Sequence, residues 1–223
     1  MHPWILGAAL IATGAQALDS PLDCPGPGTI IVERFISADC PGCWTTAPSD
    51  AAARSQSLAF DWIVPSSRGD EAALSSAAPP EARDRAIRAL GSNLADGQEA
   101  TLRTRLRDAS GLSLRVKAGP AWNGYFGLQF EAKGAAPRSS SGWVALIETV
   151  PEGTDDTPIL RHLVRTVAGP IDLDGLQTGR PVRSLQALRW PETAKPVRLR
   201  AWAWVEAVDG RMIAVAGERC PHR

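Results

Sequence analysis

Residues 29–50 read TIIVERFISADCPGCWTTAPSD, and this stretch decides how the rest of the chain is read. β-Branched and apolar residues dominate Thr29 to Ile36, a composition that favours strand. Two cysteines three apart, Cys40 and Cys43, follow, and from Trp44 to Leu58 the chain turns to Ala and Ser, which reads as helix. A cysteine at a helix start sits at the positive end of the macrodipole, which favours thiolate over thiol. Its partner three positions on lies one turn away, so Cys43 could resolve a mixed disulfide formed at Cys40. Strand, dithiol and helix in that order are the layout of a redox site.

Upstream of this stretch, an apolar run from Ile5 to Ala15 ends in Ala15-Gln16-Ala17, a small-x-small pattern that predicts a secretory signal peptide over residues 1–17. The run is well short of the ~20 residues needed to span a bilayer, so no stable membrane insertion is expected after cleavage, and the mature protein is expected to be secreted or periplasmic. Residues 18–28 hold Pro21, Pro25, Gly26, Pro27 and Gly28 and read as a tether. Downstream, Leu58 to Val64 is apolar at nearly every position except Asp61, which suits a buried parallel strand. Glu81 to Leu90 reads as helix, with Ala86, Ile87, Leu90 and Leu94 on one face. Asp96 followed by Glu99 resembles a capping box, which predicts a further helix through Leu102, Leu106 and Ala109.

After Gly111 the period changes to two. Leu112, Leu114 and Val116 alternate with polar residues, as do Phe126, Leu128 and Phe130. Similar segments recur at Trp143 to Thr149, Ile159 to Val167, Val182 to Leu188, Arg198 to Glu206 and Met212 to Ala216. The expected architecture is therefore an α/β half over residues 18–111 that carries the dithiol, then an antiparallel β-rich, sandwich-like half over residues 112–223.

Lys plus Arg equals Asp plus Glu at 24 each, which argues against nucleic acid, whose binding needs a concentrated positive face. All four cysteines lie beyond the predicted cleavage point, where disulfides are the default. Four cysteines permit three pairings. Proximity favours Cys40 with Cys43, which leaves Cys24 with Cys220 as a structural disulfide near the two ends. Closing so long a loop stabilises a chain by about 5 kcal/mol in the chain-entropy model.

The segment Ile30 to Asp50 resembles the thioredoxin superfamily: an apolar strand ending near Phe35, the Cys40-Pro41-Gly42-Cys43 turn, and Pro48 five residues past the second cysteine. A narrower resemblance, to exported bacterial thioredoxin-like proteins classed as a domain of unknown function, takes in Glu33 to Cys43, Phe60 to Val64, Arg83 to Gly91, His162 to Arg165 and Met212 to Gly217. It implies a thioredoxin-type half, whole or truncated, joined to a C-terminal β region, and export. The superfamily resemblance implies a thiol–disulfide oxidoreductase in which Cys40 attacks and Cys43 resolves, acting on protein or small-molecule disulfides without a cofactor. One departure bears on activity. The family sets a proline loop against the dithiol, whereas Gly91 to Gly97 holds no proline.

Two alternatives stand beside the redox reading. A non-catalytic binding or scaffold protein would keep the dithiol as a structural disulfide. A copper or zinc site would use Cys40 and Cys43 with Cys220 and His222, since thiolate and imidazole suit those metals. Trp44 stands where haem attachment would need histidine. Asp39 beside Cys40 opposes thiolate formation. His162 is expected in or near the core and Arg161 and Arg165 in solvent. The strand face of Trp202 and Trp204 suits either a cover of stacked arginines or a ligand or partner, and some of the tryptophans are expected to pack between the two halves.

Overall fold

The computed structural model describes residues 24–47, 57–107 and 111–220. The expected signal peptide, His222 and residues 48–56 of the expected alanine-rich helix lie outside the described residues. The strands are β1 (Ile30–Ser37), β2 (Ser57–Val64), β3 (Glu99–Arg105), β4 (Leu112–Ala118), β5 (Tyr125–Gly134), β6 (Ser141–Val150), β7 (Arg161–Asp172), β8 (Val182–Arg189), β9 (Leu199–Glu206) and β10 (Met212–Gly217). Three short α-helices accompany them: α1 (Pro41–Thr45), α2 (Glu81–Leu90) and α3 (Asp174–Gln177).

The expectation of an α/β thioredoxin-like half followed by a separate β half is overturned. The described chain is mostly strand, and seven strands from both halves form one mixed sheet in the order β10-β9-β6-β7-β2-β1-β3, with a second sheet ordered β4-β5-β8. The join is β2, which runs parallel to β1 on one side and to β7 on the other. Its sequence explains this. Positions 60 to 64 of the strand are all buried, so both of its faces and both of its edges need neighbours. β7 arrives from the second half to supply one of them. The change of period near Gly111 marks where the chain leaves the large sheet for the small one, and β6, β7, β9 and β10 then return to the large sheet.

In place of the helix expected from Asp96 onward, Glu99–Arg105 is strand β3, paired antiparallel with β1, and Ala109 lies outside the described residues. Glu99, Thr101, Arg103 and Arg105 are exposed while Ala100, Leu102 and Thr104 are half-buried, an alternation of period two. Spacing alone hid this. Leu102 and Leu106 suit a helix face and also, at even separation, one face of a strand. The helix expected at Glu81 to Leu90 is α2, closed by Gly91 in a left-handed conformation at φ 75°. All seven strands expected after Gly111 are present.

Three apolar clusters hold the layers together. On one face of the large sheet, Phe35, Phe60, Trp62, Trp202 and Trp204 pack beneath α2. Trp202 meets Phe60 edge-on at 5.4 Å and Trp204 meets Trp62 at 6.1 Å, so these two indoles join the halves as expected. Between the sheets, Leu128, Phe130, Val144, Leu146 and Val205 form the second cluster. The third, with Ile36, Trp44, Ile63 and Leu163, lies beside the two cysteines.

A buried ionic lattice ties α2 to the sheet. Arg85 bonds Glu33 through both Nε and Nη2, meets Glu206 at 2.8 Å and donates to the Gly210 carbonyl at 2.8 Å. Arg88 holds the other oxygen of Glu206 at 2.8 Å and stacks over Trp143. Burial pulls the Arg85 guanidinium down, but Glu33 and Glu206 outweigh it and hold its pKa above the ordinary arginine value.

Candidate functional site

Cys40 and Cys43 are joined in a disulfide with Cα atoms 5.4 Å apart, at the point where β1 ends and α1 begins. Local bonding fixes this turn: Cys40 N–H donates to Ser37 at 2.9 Å and Cys43 N–H to the Cys40 carbonyl at 3.1 Å. Pro41 fits the first helical position, where no N–H partner is needed. Both cysteines are half-buried. They pack against the cluster around Trp44, which is buried, and whose Nε1 donates to the Asp155 carbonyl at 2.8 Å. The Asp155 carboxylate is in turn held by Lys195 at 2.7 Å and Arg198 at 2.9 Å, and Lys195 chiefly keeps its pKa below the usual carboxylate range.

The last carbonyls of so short a helix need partners, and a single side chain supplies them. Arg161, from the start of β7, donates through Nη2 to the carbonyls of Cys43 at 3.3 Å, Trp44 at 2.5 Å and Thr46 at 3.2 Å. Its Nε reaches Thr157 at 2.8 Å, its Nη1 reaches Asp61 at 3.1 Å, and its plane covers Trp44 at 4.6 Å. Burial pushes the Arg161 pKa below its ordinary value, with Asp61 opposing that, yet an arginine stays cationic. Asp61 also takes Arg34 in a two-point pair at 2.7 and 3.0 Å and the His162 backbone N–H at 3.2 Å. Cross-strand register builds this contact, since Arg34 and Asp61 are direct partners in β1 and β2 and Asp61 pairs with Leu163 in β7. Two buried or nearly buried guanidinium groups thus share one fully buried carboxylate beneath the dithiol. Glu99 of β3, opposite Ile36, adds a second, weaker attraction on Arg161, so two carboxylates face the two guanidinium groups.

Asp39 sits on the exposed side. Its carboxylate accepts from Ser37 Oγ at 2.6 Å and from Gly97 N–H at 2.8 Å, and these bonds, Ser37 first, hold its pKa below the usual value. Two segments thus border the dithiol turn: the proline-free Gly91–Gln98 connection, latched by Asp39, and residues 74–78, which bond the Ala38 carbonyl through Leu74 N–H at 2.8 Å, pack on the same cluster as the cysteines and lead into Pro79.

Other expected site residues lie elsewhere. Cys24 and Cys220 line one cavity of about 660 Å³ near the start of β1, with Leu114 and Ile213 among its walls. The expected Cys24–Cys220 bridge is not formed. Backbone bonds hold the two ends instead, from Gly28 N–H to Leu106 and from Glu218 N–H to Ala201. The dithiol is at the opposite end of β1, an eight-residue strand spanning about 26 Å, so Cys220 is not assembled with Cys40 and Cys43. Among the described residues no group of three metal-ligating side chains converges. His162 is half-buried, as expected.

Arg161 and Arg165, expected in solvent, are both buried. Alternation along β7 assigned them correctly to one face, but that face is covered by α1 and by the loops around Thr157 and Thr193. Arg165 pairs with buried Glu148 at 3.3 Å and donates to Thr193. Arg34 and Arg161 are the site residues that sequence reading missed. The one signal for them was Asp61, a lone carboxylate in an otherwise apolar strand, which once buried requires cationic partners.

No protein-family model matches the chain, and no curated protein matches its sequence. Among solved structures, HBP35 of Porphyromonas gingivalis is similar at a TM-score of 0.48 and 9% identity, over 86% of this chain and 75% of that one. A likeness of that depth assigns the chain neither to the thioredoxin superfamily nor to the domain-of-unknown-function family. No described helix is long and apolar enough to cross a membrane.

Proposed function

We propose that this chain is an exported thiol–disulfide redox protein that works through Cys40 and Cys43. The observation that carries the reading is the half-buried disulfide at the head of α1, with the buried Arg161 guanidinium bonded to the carbonyls of Cys43, Trp44 and Thr46. A cation beside a cysteine favours the thiolate, which is both the nucleophile and the better leaving group in exchange. Both cysteines are half-buried rather than enclosed, which supports access by a partner, while Arg161 holds the turn that carries them.

The exchange balances as follows. A substrate thiolate attacks the Cys40 sulfur, the Cys40–Cys43 bond breaks, and Cys43 leaves as a thiolate that takes up a proton. A second substrate thiolate then attacks the mixed disulfide and releases Cys40, so two electrons pass to the protein and the substrate gains a disulfide. Run in reverse, Cys40 attacks a substrate disulfide and Cys43 resolves it. Substrates are protein or small-molecule disulfides and dithiols. Export is supported by the apolar run and small-x-small pattern of residues 1–17.

The test is the reduction potential of the pair in Cys24→Ser/Cys220→Ser protein, together with turnover of a model disulfide. A potential above about −300 mV with turnover is expected; a lower value without turnover refutes the reading. A non-catalytic scaffold with a structural disulfide is the second reading. It is favoured by the proline-free connection at Gly91–Gln98 and by the Asp39 carboxylate that opposes thiolate formation.

A further inference from the structure

The second sheet carries a face that the redox reading leaves unused. Its inner side packs into the core through Val116, Leu128, Phe130 and Leu188. On its outer side, register places Lys117 beside Gln129 and Leu185, Arg115 beside Glu131 and Arg183, and Tyr125 beside Arg189. Lys133 completes a set of five cations. Glu131 is the one carboxylate among them on these strands, held below its usual pKa chiefly by Arg183. This concentration stands out in a chain whose charges cancel overall.

The same face ends in an aromatic tip. The β4–β5 connection is Gly119-Pro120-Ala121-Trp122-Asn123-Gly124, with no charged side chain. Trp122 and Tyr125 exchange backbone bonds of 2.9 Å in both directions, across Asn123 at φ 47° and Gly124 at φ 83°, a tight turn of the primed kind. Trp190 N–H bonds the Gly124 carbonyl and its ring packs on Phe126, so the turn is anchored from behind. On this fixed support Trp122 is 82% exposed and Leu185, further along the face, 76%. An indole presented to water in this way has no role in packing the fold.

We propose that this face docks on an anionic lipid bilayer surface, with Trp122 entering the headgroup layer and Lys117 and Arg189 meeting lipid phosphates beside it. The chemistry of the tip selects this occupant. Indole prefers the bilayer interface, and flanking Lys and Arg add attraction to anionic headgroups. Residues 119–124 of the hairpin tip line neither the cavity beside Arg189 nor the one beside Arg115 and Lys133, so the tip projects clear of both and can be surrounded by headgroups. The docking is peripheral and uses no spanning segment.

The test is flotation of the full chain with vesicles of phosphatidylcholine alone and of phosphatidylcholine mixed with phosphatidylglycerol. Binding is expected to the mixed vesicles in preference to the neutral ones, and to weaken in ~1 M salt, where the screening length is about 3 Å. Trp122→Ala should lower partitioning about tenfold, and Lys117→Glu with Arg189→Glu about fivefold per residue. All of these positions are on the surface, so an unchanged urea midpoint shows that the fold is intact. Equal binding to both vesicle types, or no effect of Trp122→Ala, overturns the proposal. So does dextran sulfate binding that matches vesicle binding and ignores Trp122, which would mean a soluble polyanion. Cys40→Ser/Cys43→Ser protein should bind vesicles as the parent does, so failure here and failure of the redox reading are separable.

Discussion

Replacing Arg161 with Met, and separately Asp61 with Asn, tests whether the buried charges beneath the dithiol govern both fold and thiol chemistry. Arg161→Met removes the donor to three carbonyls, to Thr157 and to Asp61. Breaking a buried pair costs about 3–5 kcal/mol, and because Asp61 keeps Arg34 the lower end applies, about 3 kcal/mol. For a chain of this size that lowers Tm by roughly 6–12 °C. Asp61→Asn should cost about as much, since it removes the buried carboxylate that both guanidinium groups bond.

The two substitutions part company at the cysteines. A cation near a thiol favours its ionised form and a carboxylate opposes it. Arg161→Met therefore raises the Cys40 thiol pKa in the reduced protein, and Asp61→Asn lowers it. The assay is the pH dependence of iodoacetamide alkylation, with urea unfolding of the same samples for stability. Both variants destabilised with thiol pKa values moving in opposite directions is the expected result. Movement in the same direction, or none, refutes the electrostatic account even if both lose stability.

Arg85→Met should cost about 3–5 kcal/mol by orphaning Glu33 and half of Glu206 in the core, measured as a fall in urea midpoint at constant slope. Asp39 has a folded pKa held below its unfolded value, so its contribution is present above the unfolded pKa and is lost as pH falls through the folded one. Asp39→Asn should therefore flatten the acid limb of the stability curve below about pH 4, and an unchanged limb would place the latch elsewhere. Gly142→Ala sets a methyl 2.6 Å from the Phe130 ring and should lower stability by about 1–3 kcal/mol in thermal melts of the oxidised protein.

How much was legible follows from which residues answer to one neighbour and which to many. β1, the cysteine turn, β2, α2 and the seven later strands were readable because each has a strong local period or a hard stop such as Pro65 or Gly91. β3 was not, because Leu102 and Leu106 satisfy two periods and only pairing with β1 decides between them. The single mixed sheet was not, because parallel pairing of β2 with β7 joins positions about a hundred residues apart and leaves no local trace. At the site, Cys40 and Cys43 announced themselves by spacing. Arg161 did not: alternation gives the face of a strand but not whether that face is covered, and the cover here is α1, more than a hundred residues earlier. Asp61 was the readable half of that contact.

The long reach of Arg161 has a consequence for how the protein is made. During synthesis Cys40 and Cys43 emerge well over a hundred residues before the arginine that locks their turn. Through that interval the pair has only its own strand and one tight turn for support. The carbonyls of its short helix gain their arginine partner only once β7 is paired beside β2. A polypeptide cut short near Gly111 would carry both sulfurs and none of the clamp that gives them their character.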